Sequence, residues 1–219
     1  MSWAKARHDG SGKRSHALAR GAKVYAELAS TAAFNLAQHV TGLDGAAESL
    51  SVLIQRLVSK AAWDYIGPDY INAHGTGTTQ NDMSELTAIR LGLDSLADRV
   101  VVSSNKAVIG HLINAAGSVE LAITALALRD GYAPPTMNLT NPEHQGNIDC
   151  LPKCGVKSEL NRALKISLAF GGHVVGIALN KSSDARLQRS ANPLDEGVLV
   201  RKTSSAAMES RRHLQAGQA

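Results

Sequence analysis

The sequence predicts an α/β layered fold with a mixed sheet. Helix-like and strand-like apolar patterns alternate along residues 22–131, and two strand candidates separated by a glycine pair close the pattern. Strand–helix alternation generates parallel strands, whereas a tight glycine turn joins antiparallel ones. We therefore expect a sheet with strands in both directions, flanked by helices.

Short apolar runs bounded by polar residues, glycine or proline predict the strands. Gly171-Gly172 between the last two candidates allows the tight turn of a hairpin. The strand candidates, in chain order, are Ala22–Leu28, Asp69–Ala73, Val100–Ser103, Asn147–Leu151, Ala163–Phe170 and His173–Asn180.

Three segments have the apolar spacing of helices. Ala46–Ala62 is amphipathic, and Asp82–Leu93 begins with an aspartate followed three residues later by Glu85, close to a capping box. Leu112–Arg129 is the longest signal and stops at Gly131, a residue suited to the position beyond a helix end. Its many small residues predict burial against neighbours on several sides.

Composition narrows the class of protein. Hydrophobic residues make up 44% and charged residues 19% of the 219, which is typical of a globular chain. No apolar stretch approaches the roughly 20 residues that span a bilayer, and the polar start does not resemble a secretory signal. We therefore expect a cytoplasmic protein with no membrane partner. Two cysteines, Cys150 and Cys154, cannot form a disulfide framework.

The net charge of +4 comes from the ends of the chain rather than from its middle. Residues 1–20 carry +4 and residues 182–219 carry +2, so residues 21–181 carry −2. A slightly acidic body with basic ends does not indicate a nucleic-acid partner. Residues 1–15 and 182–219 lack hydrophobic periodicity, and we expect both to be disordered around a folded unit over 16–181.

A histidine followed by glycines comes directly after the second strand candidate. The motif is His74-Gly75-Thr76-Gly77-Thr78. Ligands of α/β folds usually bind where strands end, and glycines let the backbone approach them closely. An imidazole there suits a group held against a substrate carbonyl, and the threonine hydroxyls could hydrogen-bond a polar ligand arm.

A second histidine follows the next strand candidate, in Lys106-Ala107-Val108-Ile109-Gly110-His111. We expect His111 at the start of the long helix, where the positive end of the helix dipole disfavours imidazolium. Two neutral rings with N–H groups directed at one thioester oxygen would form an oxyanion hole. We expect Lys106 to fix the local charge and to orient an acid such as Glu85.

Other interpretations stay open on spacing alone. A histidine at a strand end is often structural. The GTGT segment could cradle a phosphate, although it lacks the G-x-G-x-x-G and Gly-Lys-Ser/Thr patterns. Residues 103–106 fit the short S-x-x-K pattern of serine acyl-enzymes but have no companion motif.

Metal binding and cysteine chemistry have weaker signals. His74, His111, His144 and His173 have no pair at the spacing that local chelation prefers, so we expect no metal and no cofactor. The two cysteines flank a Leu-Pro-Lys turn, and we interpret them as structural residues rather than nucleophiles.

Together, the motifs resemble the C-terminal half of the β-ketoacyl-acyl-carrier-protein synthases, the condensing enzymes of fatty-acid and polyketide synthesis. The resemblance runs from about Ala17 to about Lys181. It implies a thiolase-like fold of two related α/β halves, of which this chain has the second. The matching motifs, in order, are ALARGAKVYAEL, DYINAHGTGTTQND, VVVSSNKAVIGHLINAAGSVELAITALALRDG, PPTMNL and AFGGH.

The resemblance also implies roles for individual residues. His74 and His111 correspond to the two histidines of the family's Cys-His-His triad, Lys106 to the motif's lysine, and Glu85 to the acidic residue downstream of the first histidine. The residues implied in substrate binding are Thr76 and Thr78 beside the phosphopantetheine arm, Phe170 with Gly171 and Gly172 at an aromatic gate, and Thr41 with His39 on the pantetheine side.

Two departures from the family pattern accompany the resemblance. The family's nucleophilic cysteine lies at a strand-to-helix elbow in the first half, and neither cysteine here has that context, so we expect this chain to lack the nucleophile. The closing motif, usually Asn-Ser-Phe-Gly-Phe-Gly-Gly, reads Ile-Ser-Leu-Ala-Phe-Gly-Gly over residues 166–172.

The implied reaction is a decarboxylative Claisen condensation. A cysteine thiolate accepts an acyl group from acyl carrier protein, a malonyl thioester on phosphopantetheine loses carbon dioxide, and the paired histidines stabilise the enolate. The implied partners are acyl carrier protein and either a second copy, as a homodimer, or a cysteine-bearing half. Two alternatives stay open: a non-catalytic truncated or chain-length-factor-like subunit, and an acyl-binding domain that uses the GTGT loop alone.

Overall fold

A computed structural model of the chain describes residues 12–35, 46–141, 148–151, 154–183 and 200–202. The helices are α1 (Arg14–Ala19), α2 (Ala46–Lys60), α3 (Thr79–Leu93), α4 (Lys106–Ile109) and α5 (Ala116–Asp130), with 3₁₀ turns at Asp94–Arg99 and Ile113–Ala115. The strands are β1 (Ala26–Asn35), β2 (Tyr70–Asn72), β3 (Val101–Ser103), β4 (Tyr132–Ala133), β5 (Gly155–Lys157), β6 (Arg162–Ala169), β7 (His173–Lys181) and β8 (Val200–Lys202).

The main sheet has five strands in the order β1-β7-β6-β2-β3. β2 runs parallel to both β3 and β6, whereas β7 runs antiparallel to β6 and to β1. This confirms the predicted mixed sheet. A smaller sheet has the order β4-β5-β8.

The hairpin between β6 and β7 forms where the glycine pair predicts it. Ala169 lies opposite His173, and Gly171 and Gly172 in the turn have φ angles of 80° and 78°. Only glycine adopts such angles without steric cost, so the two glycines permit this connection.

Helices cover both faces of the main sheet. Successive side chains of a strand point to opposite faces, so each strand can contribute apolar residues to both. Leu164, Ile166 and Leu168 of β6 face a core formed with α2, whose buried residues recur at helical spacing. Ala163 belongs to the second core, with α5 on the opposite face. The helix residues in the first core include Leu50, Leu53, Ile54, Leu57 and Val58, so the predicted amphipathic helix is confirmed.

Several strands differ from the predictions. β1 begins later than expected and continues to Asn35, because it pairs with the long strand β7 over this whole range. Its second half consists mainly of small residues with weak hydrophobic alternation, so the sequence did not indicate its end. The predicted strand Asn147–Leu151 is wrong over its described residues, where Asp149 forms one isolated bridge with Val101. The short strands β4 and β5 gave no signal in the sequence, since two or three residues are too few to show a period.

Both ends of the chain, which were predicted to be disordered, contain regular secondary structure in their described parts. Helix α1 begins at Arg14, inside the predicted N-terminal disordered segment, and Arg14 forms an ion pair with Glu27 of β1. Val200–Lys202, in the predicted C-terminal tail, pairs with β5. Residues 1–11, 184–199 and 203–219 of the predicted tails lie outside the described residues.

Within the described part of the chain, no helix combines the length and the apolar character that crossing a bilayer requires.

Candidate active site

The ends of two neighbouring parallel strands bring the candidate residues together. Asn72 at the end of β2 lies beside Ser103 at the end of β3. His74 follows β2 by two residues, and Lys106 follows β3 by three. Parallel strands end at the same edge of a sheet, so both motifs project from one edge.

The rings of His74 and His111 are neighbours although 37 positions separate them in the sequence. Their centroids lie 5.4 Å apart and their planes meet at 83°, an edge-to-face arrangement. At this separation the two rings are in direct contact. His74 is 8% exposed, whereas His111 is exposed.

His74 is buried in an environment that opposes its protonation. Burial lowers the pKa of the ring to about 3, and the positive charges of Lys106 and Lys165 contribute in the same direction. The imidazole is therefore neutral at physiological pH and holds one N–H that it can donate.

His111 differs from its predicted setting. The long α-helix begins at Ala116 rather than at Leu112, so His111 lies outside its first turn. The backbone N–H of Ile113 donates to Nδ1 of His111 at 3.0 Å. A neutral ring whose Nδ1 accepts a hydrogen bond carries its proton on Nε2.

The turn that makes this contact is strained. Ile113 has a φ of 50°, in the left-handed region that β-branched residues rarely adopt. Such strain is often found at functional sites, where the surrounding fold holds it in place.

Glu85 binds backbone amides rather than a lysine. Its Oε1 accepts from His74 N–H at 2.7 Å and its Oε2 from Gly75 N–H at 2.6 Å. Asn81 also donates to Oε2, at 2.9 Å. The predicted capping box is therefore wrong: α3 begins at Thr79, and Glu85 lies inside the helix and fixes the turn that carries His74.

The acid that pairs with Lys106 is Glu120, which the sequence analysis missed. Lys106 Nζ lies 2.5 Å from Oε1 of Glu120, and Lys165 Nζ lies 2.8 Å from Oε2. The expected orientation of Glu85 by Lys106 is thus a wrong prediction. The sequence did contain a signal for this pairing. Glu120 lies in a helix of small and apolar residues, and Lys165 lies in an apolar strand. Charged residues are seldom buried in such elements unless they are paired with each other.

A close backbone contact requires the first glycine of the motif. Gly75 has a φ of 45°, and a Cβ there would lie 2.4 Å from Cβ of Ser104. Ser104 Oγ also donates to the carbonyl of Gly75 at 2.7 Å. The turn after β2 is thereby attached to the segment after β3, which carries Lys106.

The residues implied in substrate binding have varied settings. The hydroxyls of Thr76 and Thr78 contact each other at 2.9 Å on the exposed part of the turn. Phe170 is 76% exposed at the β6–β7 turn, beside Gly171 and Gly172. His39 and Thr41 lie outside the described residues, as does His144.

A cavity of about 520 Å³ opens beside this site. Its lining includes His111 and Lys106, with Thr76, Thr136 and Cys150. Burial, with smaller contributions from the carboxylates of Asp149 and Asp82, raises the pKa of the Cys150 thiol to about 11. The thiol is therefore protonated at neutral pH, which makes it a poor nucleophile.

The described residues include no group of three or more histidine, cysteine, aspartate or glutamate side chains placed to hold a metal ion.

Solved structures with the same fold are ketosynthases. One is the ketosynthase of a type II polyketide system in complex with its acyl-carrier protein (AntDE with AntF): it has a TM-score of 0.73 and 32% identity, over 78% of this chain and 42% of that chain. The ishigamide ketosynthase/chain length factor has a TM-score of 0.70 and 28% identity, over 78% of this chain and 41% of that chain. The fold is therefore thiolase-like.

The sequence comparisons assign the family. The model of the β-ketoacyl synthase C-terminal domain matches residues 25–140, more than half of the chain. The 3-oxoacyl-[acyl-carrier-protein] synthase 2 of Rhizobium meliloti is 42% identical over 166 residues, which are 76% of this chain and 39% of that protein. The chain belongs to the β-ketoacyl synthase family and spans about two fifths of the length of this relative.

Substituting Gly75 should test the close contact. Gly75→Ala should lower the free energy of unfolding by about 1–3 kcal/mol more than Gly77→Ala, because the new Cβ meets Ser104. Gly77 is the matched control: it also has a positive φ, of 77°, but nothing lies within 4 Å of an added Cβ. Urea denaturation measures both losses, and equal losses would contradict the role of the contact.

Acid should destabilise the protein through His74. The unfolded ring binds a proton below its ordinary pKa of 6.5, whereas the folded ring does so only near 3, so the stability present above pH 6.5 is lost as the pH falls between these values. When the pH falls from about 7 to 5, the free energy of unfolding should decrease in both proteins. The decrease should be about 2 kcal/mol smaller in His74→Asn than in the wild type. His16→Asn, which removes an exposed ring on α1, is the control and should keep the wild-type slope. If the stability of His74→Asn depended on pH as strongly as that of the wild type, the ring of His74 would not be held neutral by the fold.

Proposed function

We propose that this chain supplies the two-histidine half of a β-ketoacyl-acyl-carrier-protein synthase, which performs decarboxylative Claisen condensation in fatty-acid or polyketide biosynthesis. The observation that carries the proposal is the pairing of His74 and His111 at 5.4 Å in a chain of this family. In this proposal, acyl carrier protein delivers the acyl and malonyl groups on phosphopantetheine.

The geometry supports a specific part of that reaction. When a malonyl thioester loses carbon dioxide, negative charge develops on the thioester oxygen. A neutral His74 and an Nε2-protonated His111 offer two N–H donors to one such oxygen. Donors already placed where charge develops stabilise the transition state more than the ground state, which accelerates the step.

The nucleophile belongs, in this proposal, to a cysteine-bearing half. The high pKa of Cys150 argues against this thiol as the acyl acceptor. The match covers 39% of the Rhizobium meliloti relative, so most of that protein lies outside it. Apolar side chains next to His111 also face solvent, with Val108 67% and Ile113 71% exposed, and a second half that covers them would remove this surface from water.

A second candidate is a non-catalytic, chain-length-factor-like subunit that pairs with an active synthase. It is favoured by the similarity to the ishigamide ketosynthase/chain length factor and by the altered closing motif at residues 166–172. The intact histidine pair supports the catalytic proposal over this one, because a subunit without chemistry has no need of a neutral buried His74.

The isolated chain should form no acyl-enzyme. Incubation with an acyl-carrier thioester and intact-mass spectrometry should show the unmodified mass, because the Cys150 thiol is protonated. Adding a cysteine-bearing ketosynthase half should give acylation of that half only. Acyl groups on Cys150 or Cys154 would contradict the proposed division of roles.

Removing one histidine donor should slow the malonyl step. In the presence of a cysteine-bearing half, His111→Ala should lower the rate of malonyl decarboxylation by at least about 10²-fold. His16→Ala, on α1, is the control and should retain the wild-type rate. Release of carbon dioxide from malonyl-acyl carrier protein measures the rate. An unchanged rate in His111→Ala would exclude His111 as a donor, and no turnover in the wild-type pair would favour the non-catalytic subunit.

A further inference from the structure

Three buried ionisable side chains lie together behind the histidine pair. Lys106 comes from α4, Glu120 from α5 and Lys165 from β6, and their side chains are 5%, 0% and 2% exposed. Both lysines contact the single carboxylate, one at each oxygen. The cluster is therefore two cations on one anion.

The position of Lys165 in its strand explains how it reaches this cluster. Side chains alternate along β6, and Leu164 and Ile166 fill the core on the α2 side. Lys165 points to the opposite face, where α5 carries Glu120. Its Nζ also lies 3.5 Å from the carbonyl of Asn72 and 3.4 Å from that of Ala73, the two residues that precede His74.

The balance of charge distinguishes Lys165 from Lys106. Lys106 and Glu120 alone would be a neutral ion pair, so the second ammonium gives the cluster a net charge of +1 when all three groups are ionised. The other carboxylate near His74 is that of Glu85, which accepts from the amides of His74 and Gly75 and not from either lysine.

We propose that Lys165 is a positioning residue that keeps the buried region behind His74 positively charged, through its own ammonium and through the Glu120 carboxylate that it shares with Lys106. A positive charge there disfavours a second cation on the His74 ring, so the ring stays a neutral donor. It also stabilises negative charge on an oxygen bound by the two histidines. This catalytic consequence rests on the proposed function, whereas the electrostatic one does not.

The titration properties of the cluster agree with this assignment. Burial lowers the pKa of Lys165 to about 8, with the nearby Lys106 acting in the same direction and with Glu120 and Glu85 opposing it. Lys165 is thus mostly protonated at neutral pH and loses its charge just above it. The cations that lower the pKa of His74 are Lys106 and Lys165.

The first test follows Lys165 and His74 together in the full chain by nuclear magnetic resonance. In the wild type, the ¹³Cε shift of Lys165 should titrate near pH 8, and the ring nitrogens of His74 should shift with the same midpoint. Lys165→Arg retains a cation that does not titrate in this range, and it should remove the step at His74. Lys157→Met, on the exposed side of β5, should leave the step intact. A His74 ring that does not change between about pH 7 and pH 10 in the wild type would overturn the proposal.

The second test removes the charge. In Lys165→Met, the pKa of His74 should rise by about one unit relative to the wild type, and Lys165→Arg should restore the low value. Lys165→Gln serves in place of Lys165→Met should the methionine variant not fold. A folded neutral variant with the wild-type His74 pKa would overturn the proposal, since a merely structural lysine alters stability but not this titration.

A third readout separates this inference from the proposed function. With a cysteine-bearing half, Lys165→Met should lower kcat for malonyl decarboxylation by about tenfold with little change in KM. The wild-type rate should decline above about pH 8 as Lys165 loses its proton, and Lys165→Met should lack this decline. Activity in the wild type with no effect of Lys165→Met on kcat would overturn the catalytic consequence. No activity in the wild type, with the His74 pKa shifted in Lys165→Met, would contradict the proposed function and support the electrostatic assignment.

Discussion

The carboxylate of Glu120 is the buried charge on which the site depends. It is fully enclosed, and it joins three parts of the chain by contacting Lys106 after β3 and Lys165 in β6 from its own position in α5. A carboxylate without partners at such a depth would be strongly destabilising, and so would either ammonium. The chain can bury these groups only when all three elements are in place, so their pairing fixes α5 against one face of the sheet, behind the histidines.

Parallel pairing of β2 with β3 supplies the second constraint. Each strand has only three residues, and β2 pairs in parallel with both β3 and β6. Their ends place the turn with His74 beside the segment that continues to Lys106 and His111. The contact of Gly75 with Ser104 then leaves no room for a side chain between the two segments. The distance between the rings therefore follows from backbone geometry as well as from side-chain packing.

Periodicity predicted the elements that are long enough to show it. α2, most of α3 and α5, and the β6–β7 hairpin could be read from apolar spacing and from glycines, since these signals lie within a single segment. β1 could not be bounded in this way, because its length is set by β7, which lies far away in the sequence. The two histidines were identified from motifs, whereas their proximity required the sheet.

The electrostatic partners were harder to predict than the histidines. Glu85 and Lys106 belong to the motifs that carry His74 and His111, so pairing them was the simplest assumption. The structure separates them: Glu85 accepts backbone N–H groups and Lys106 pairs with Glu120. Which of several carboxylates a lysine meets depends on how helices pack against the sheet, and local spacing contains no information on that packing.

The two carboxylates also explain why a histidine close to negative charge stays neutral. An anion next to an imidazole normally favours its protonated form. Here Glu85 already accepts from the two amides at the turn and from Asn81, and Glu120 already faces two ammonium groups. Burial also raises the pKa of Glu85, which disfavours its negative charge. Burial and the excess lysine charge therefore determine the state of the ring, and both of them lower the pKa of His74. An acidic side chain near a buried histidine therefore indicates the protonation state of the ring only when the other partners of that acid are known.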